Sequence, residues 1–206
     1  MAGHIKAWDD EYGKSIWRGH YSLKLLDPDL KKGSLLDAGC GSGKYSLPLK
    51  MRGFDVVGMD VSFKALQMLR ESSIARELDI EMLAGNVFQL PFREDSFDII
   101  WCYGVLQHLL SAEREIVIRE FRRILKGEGI LFIEVFGKED MRYGGFKVEP
   151  DTFSRKNGIV YHYFDRHEIE ELLKDFSYNI IESRKEKRFK GEIYTRHMIS
   201  AVAKKN

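Results

Sequence analysis

Two acids and three glycines set the chemistry open to this sequence. Asp37 closes the apolar run Leu35-Leu36, and glycines follow at 39, 41 and 43. Asp60 closes a second apolar run, Phe54 to Met59, and lies 21 residues beyond Gly39. Glycine tolerates positive φ and lets a ligand come close to the backbone. A helix that starts just after such a turn points free N–H groups at whatever sits above the strand end. An acid at the tip of the next strand, about 20 residues on, is placed to accept hydrogen bonds from both hydroxyls of a ribose. Loop and acid together read as a cradle for a nucleoside-bearing cofactor. A tight strand–helix turn with no ligand would use the same glycines, with Asp60 as a solvent-facing acid.

The details exclude two common cradles. A phosphate loop needs glycine where Ala38 stands and Ser or Thr where Tyr45 follows Lys44. The dinucleotide fingerprint needs a third small residue, and that position falls on Lys44 or, one step later, on Ser46. Asp37 would also repel a pyrophosphate, whereas it suits a ligand that carries positive charge.

The run Asp37-x-Gly39-x-Gly41-x-Gly43 resembles the first motif of the class I S-adenosylmethionine-dependent methyltransferases. That resemblance implies S-adenosyl-L-methionine as cofactor, held by Asp37, Ala38, Gly39, Cys40, Gly41, Gly43, Asp60 and Val61. The family usually has an Asp for the adenine amino group at the tip of the third strand, followed by an apolar residue. Here Asn86 and Val87 stand there, and an amide oxygen can still accept from an amino group. Tyr103 opens the loop after the fourth strand, which by the switch-point rule faces the ligand crevice. His108 in that loop has three open roles: general base, substrate partner, or a satisfied structural histidine. His162 and Tyr143 are the other catalytic candidates. Two more stretches are similar to the family: Leu90-Pro-Phe92 ahead of Phe97-Asp98, and Arg123-Ile-Leu-Lys-Gly-Glu-Gly129, whose Gly127 and Gly129 are expected to keep the turn chemistry.

These residues need a scaffold, and the patterning predicts one. The resemblance implies an α/β fold: a seven-stranded Rossmann-like sheet, mostly parallel, ending in an antiparallel hairpin, with helices on both faces. Apolar runs predict strands over 34–38, 54–60, 80–87, 97–102 and 130–135, and 178–189 and 194–203 read as two strands joined around Lys190-Gly191. Helices are expected over 43–52, after the cap Ser62, from a Ser111 cap to Leu125, and from Asp165, with Glu168 completing a capping box, to Phe176. One domain is expected over 1–206. Its residues 1–32 would form a helical cap with the stripe Tyr12, Ile16, Trp17, Tyr21, Leu23 and Leu26. Tyr12 and Trp17 would cover the cofactor or simply pack on the sheet. Residues 136–164 read as a long irregular stretch and an acceptor lid, since Tyr143, Phe153, Tyr161, His162, Tyr163 and Phe164 bring more aromatic surface than a solvated loop needs. The pair Gly144-Gly145 would serve as its hinge.

Composition narrows the partners. A chain of 206 residues can bury one sizeable core, and a net charge of +1 sets up no global field for nucleic acid or membrane. Two cysteines, 40 and 102, suggest neither a disulfide framework nor a zinc site, so a reduced, cytoplasmic setting is expected. No apolar run reaches membrane-spanning length, and no signal-peptide core is visible. Arg166-His-Glu-Ile-Glu-Glu171 lacks the second histidine of a metal helix, and no metal is expected. The expected function is methyl transfer to a small-molecule acceptor. The alternatives are a tRNA or protein acceptor, and a nucleoside-binding module without turnover. Cys40-Gly-Ser-Gly-Lys-Tyr45 resembles the motif of wobble-uridine-modifying members, and Arg184, Lys185, Lys187, Arg188 and Lys190 cluster; lysines on an edge hairpin also discourage aggregation.

Overall fold

The computed structural model describes residues 2–14, 22–189 and 191–206. Its strands in chain order are β1 (Ser34–Ala38), β2 (Asp55–Asp60), β3 (Glu81–Ala84), β4 (Phe97–Tyr103), β5 (Leu125–Phe136), β6 (Phe146–Glu149), β7 (Thr152–Ser154), β8 (Val160–His162), β9 (Phe176–Phe189) and β10 (Glu192–Lys205). The helices are α1 (Ala2–Lys14), α2 (Ser46–Met51), α3 (Phe63–Ile74), α4 (Ser111–Ile124) and α5 (Arg166–Leu172).

Seven strands form one sheet in the order β3-β2-β1-β4-β5-β10-β9. The first five pair in parallel, and β10 runs antiparallel to both β5 and β9. Parallel strands are covered on both faces, which is why they read as continuous apolar runs rather than alternating ones. One face buries Leu35, Val56, Trp101 and Phe132 against Leu49 of α2 and Leu66 and Leu69 of α3. The other buries Leu36, Ile100 and Ile133 against Val117, Phe121 and Ile124 of α4 and Ile169 of α5. The strand order reverses between β1 and β4, so the crevice of an open α/β sheet lies above their carboxyl ends.

Several expectations are corrected. Within the described residues the amino-terminal helix spans Ala2–Lys14, and residues 22–33 are a chain of turns, with Asp27 accepting from the Asp29 N–H. Leu23 and Leu26 are nonetheless buried beneath the sheet. Ile16, Trp17 and Tyr21 lie outside the described residues, as does Lys190. Ser111 is the first helical residue of α4 rather than its cap; Glu113 instead accepts the Leu110 N–H at 2.7 Å. The turn expected at 127–129 is an irregularity within β5, and its positive φ falls on Glu128, not on either flanking glycine. Residues 136–164 are not irregular: β6, β7 and β8 pair as a small antiparallel sheet. Strands of three or four residues, interrupted by Gly144-Gly145, Pro150 and Gly158, are too short to show an alternating pattern.

A buried polar chain fastens this small sheet to the main body. Thr152 Oγ1 and His162 Nδ1 are 2.7 Å apart, and His162 Nε2 lies 2.8 Å from Glu168 Oε2. Glu168 Oε1 accepts from Arg114 of α4 at 3.0 Å, and Arg114 also donates to the Leu109 carbonyl. Glu168 therefore does not close the predicted capping box. Asp165 caps α5 through the Glu168 N–H, but the Glu168 carboxylate is committed elsewhere. Burial pushes the Arg114 guanidinium down from its ordinary value, so its partner matters. Removing one member of such a group leaves a buried donor unmet, at about 1–3 kcal/mol and more when it is charged. Glu168→Ala is expected to lower unfolding stability by at least that amount, with protease cleavage in 144–158 appearing before global unfolding; denaturant melts and limited proteolysis measure both.

Candidate functional site

The glycine loop is bent back onto the neighbouring strand. Gly39 and Cys40 both donate to the Met59 carbonyl, at 2.7 and 3.0 Å. Glycines 39, 41 and 43 all have positive φ, and each gives the space of its missing Cβ to a different element. A Cβ at Gly39 would lie 2.2 Å from Val105 Cγ2 in the loop after β4. At Gly41 it would lie 2.2 Å from the Tyr12 hydroxyl of α1, and at Gly43 2.4 Å from Leu69 of α3. A side chain there would collide as well as strain the backbone.

Asp60 organises the loop from β2. Its Oδ2 accepts the Gly41 N–H and its Oδ1 the Ser62 N–H, both at 2.8 Å. The Val61 N–H is a third backbone donor, so about one of the carboxylate's four lone-pair sites remains. Burial raises its pKa despite these donors. Ser62 caps α3 as expected, accepting the Ala65 N–H, and its hydroxyl donates to Asp9 of α1 at 2.6 Å. Asp9 also accepts the Lys64 N–H. Sequence reasoning found the Ser62 cap but not this bond, because no local pattern links positions 9 and 62. Asp37 is buried and turned to Ser46 at the start of α2, accepting its hydroxyl at 2.5 Å. Burial pushes its carboxyl up to about 7, against the opposing Ser46 bond.

The remaining predicted cofactor residues occupy varied positions. Ala38 and Cys40 are buried, and the Cys40 Sγ packs by Gly58, where an added Cβ would lie 3.1 Å away. Val61 is half-buried at the tip of β2. Asn86 uses its side-chain oxygen to accept the Phe88 N–H, and Val87 joins the core beside Met59. Tyr103 packs its ring on Tyr45 and Trp101 rather than on the glycine loop.

The three catalytic candidates separate. His108 sits in a single 3-10 turn, residues 106–108, with Nδ1 2.9 Å from the Val160 carbonyl and Nε2 3.3 Å from Gln107 Nε2. A carbonyl can only accept, so Nδ1 carries the proton and Nε2 is the basic atom. Trp8 and Tyr161 meet its ring edge-on at 4.8 and 4.7 Å. His162 is buried with both nitrogens engaged in the fastening chain, so it does not face the crevice. Tyr143 is exposed, and its hydroxyl donates to Asp151 at 2.6 Å. Of the six aromatic lid residues, Phe153, His162, Tyr163 and Phe164 are buried; Phe153 and Tyr163 pack with Phe136, and Phe164 joins the core of the main sheet. Among the described residues no three His, Cys, Asp or Glu side chains converge as a metal-binding group.

A seven-stranded sheet of this order, with a glycine loop at the switch point and an acid closing β2, defines a Rossmann-like methyltransferase fold. Residues 36–133 match the family model for a methyltransferase domain. The chain thus carries a methyltransferase-domain match over 36–133 on the fold of the class I S-adenosylmethionine-dependent methyltransferases. It is 30% identical over 178 residues to a tRNA U34 carboxymethyltransferase of Campylobacter curvus, an alignment that takes in 78% of this chain and 56% of that protein. In solved structures it resembles a SAM-dependent methyltransferase of Methanosarcina mazei, with TM-score 0.74, 24% identity, and coverage of 89% of this chain and 98% of that one. It also resembles a Burkholderia thailandensis N1-methyltransferase solved with 1,6-didemethyltoxoflavin and S-adenosylhomocysteine, with TM-score 0.76, 18% identity, and coverage of 100% and 88%. The chain spans about half the length of the curated relatives it matches. No helix among the described residues is long and apolar enough to cross a membrane.

The Asp37 carboxyl yields a pH test. Its folded pKa is raised, so its contribution to stability is present below the ordinary value of 3.8 and is lost as pH rises through about 7. Asp37→Asn keeps an oxygen for the Ser46 hydroxyl but cannot ionise. For the protein alone, the melting temperatures of wild type and variant should coincide near pH 4 and separate towards neutrality, with the variant higher; calorimetric scans across that range check it.

Proposed function

We propose that this protein transfers a methyl group from S-adenosyl-L-methionine to a small-molecule acceptor. The observation that carries the reading is the bond pair from Gly41 and Ser62 to Asp60, which presents a glycine loop and an acid to one point above the sheet. The residues fit the cofactor: Gly41 has no room for a Cβ, and Asp60 keeps an acceptor site for a ribose hydroxyl. Ala38, Gly39, Cys40 and Val61 would line the rest of that cradle, with Asn86 and Val87 at the adenine end and Asp37 holding the loop through Ser46. Tyr103 takes no part in this reading, because its ring faces Tyr45 and Trp101.

The sulfonium of this cofactor is an already activated methyl donor, so the protein supplies binding and alignment. Orientation of this kind can contribute roughly 7–11 kcal/mol. In this reading α1 is the cap. Tyr12 closes on Gly41, Asp9 latches it to Ser62, and Glu11 reaches Asn157 of the small sheet. Residues 136–164 form the acceptor lid, and His108, tied to Val160 and Gln107, stands where that lid meets the loop after β4.

A tRNA acceptor is the second reading, favoured by the likeness to the tRNA U34 carboxymethyltransferase. Lys185, Lys187 and Arg188 are exposed on β9, but Arg184 is already paired with Glu139 and Glu182. Asp60→Ala is expected to weaken S-adenosylhomocysteine binding by on the order of 2–4 kcal/mol in calorimetry, through the loss of charge-assisted bonds. Wild-type affinity in that variant would sink the cofactor site. Tight binding of bulk tRNA with a steep salt slope, abolished by neutralising Lys185, Lys187 and Arg188, would replace the small acceptor with RNA.

A further inference from the structure

Beside the tip of β5 three guanidinium groups gather. The Arg142 guanidinium lies 3.7 Å from the Phe136 ring centroid, and that of Arg196 lies 6.0 Å from the same ring. Arg155 stands 5.5 Å over Tyr161. One buried carboxylate, Asp140, serves two of them: its Oδ1 accepts Arg142 Nε and its Oδ2 accepts Arg196 Nε, each at 2.8 Å. Asp140 also accepts the backbone N–H groups of Arg142 and His197. Arg155 donates to the Tyr163 hydroxyl and the Arg142 carbonyl. Other nearby acids are committed, Glu139 to Arg184 and Asp151 and Asp165 to Lys138. Glu11 of α1 bonds Asn157 and is close enough to Tyr161 to raise its phenol, after burial. Three guanidinium groups thus meet three carboxylates, Asp140, Glu11 and the buried Glu134, which feels the charge of Arg196. Arg142 Nη2 is buried and has no hydrogen-bond partner among the described residues. A buried charged donor without an acceptor is expensive, so it marks a position shaped for one.

This charge ends a row of rings that starts at the glycine loop. Tyr12 touches Gly41, and Trp8 lies 6.4 Å from Tyr12 and 4.8 Å from His108. His108 then meets Tyr161 at 4.7 Å, and Tyr161 stacks on Phe136 at 6.4 Å with the planes 10° apart. Such walls favour a flat molecule, and the planar fork of arginine matches a carboxylate.

We infer that the acceptor is a small, flat molecule bearing a carboxylate, and that Arg142 binds that group. This rests on the methyltransferase reading above. The test is thermal stabilisation of the full chain, saturated with S-adenosylhomocysteine, by benzoate, salicylate and nicotinate, each compared with its neutral carboxamide. Carboxylates should stabilise and carboxamides should not. Arg142→Gln should weaken the carboxylate effect by about tenfold or more, the scale of one charge-assisted bond. Arg142→Lys, which keeps the charge but not the fork, should fall between the two. S-adenosylhomocysteine affinity should be unchanged in both variants. Equal stabilisation by the carboxamides, no stabilisation by any carboxylate, or an undiminished effect in Arg142→Gln would overturn the inference, and so would binding of bulk tRNA that depends on Arg142. Should wild type fail to bind S-adenosylhomocysteine, the methyltransferase reading falls and takes this inference with it. Binding without carboxylate preference removes only the inference.

Discussion

The two backbone N–H groups that converge on Asp60 hold the candidate site together. Gly41 belongs to the loop after β1, and Ser62 to the start of α3. One carboxylate at the end of β2 therefore fixes the distance between loop and helix. The same Ser62 passes the constraint to α1 through Asp9, and the space left by Gly41 receives Tyr12 from the same helix. Burial drives both Asp60 and Asp37 towards their neutral forms, so the arrangement is electrostatically costly, and the hydrogen bonds offset part of that cost.

What was legible in the sequence follows from this. β1, the glycine turn and Asp60 could be read because apolar runs ending in acids, with glycines at alternate positions, are local signals. β9 and β10 were legible as a hairpin joined around Lys190-Gly191. The small sheet was not: its pairings join segments of three or four residues. The bond between Asp9 and Ser62, the Arg142 guanidinium over Phe136 and the Asp37–Ser46 pair are tertiary events with no periodicity to announce them. His162 shows how composition misleads. An aromatic-rich segment with a histidine suggested catalysis, but burial and two bonded nitrogens make it a fastener. Asn86 is a milder case, since its side-chain oxygen serves its own turn before any ligand.

Two layers of the molecule meet at His108. Its Nδ1–H is tied to the Val160 carbonyl of β8, while the loop that carries it packs Val105 on Gly39. The bond from the Arg114 guanidinium to the Leu109 carbonyl sits just beyond it, on the side of α4 and α5. A shift of the small sheet would therefore be felt both at the ring and at the glycine turn, through packed atoms rather than through distance alone.

The strand order has a consequence for how the chain is made. β10 lies between β5 and β9, yet it is the last of the three to be synthesised. Until it leaves the ribosome, β5 presents an unpaired edge from Ile130 to Phe136, the residues that later take Lys204 to Met198 as partners. That edge includes Leu131, Ile133 and Val135, all buried in the finished sheet. Nascent chains stalled before residue 192 thus carry an adhesive strand, and a chaperone that holds β5 would act in that interval.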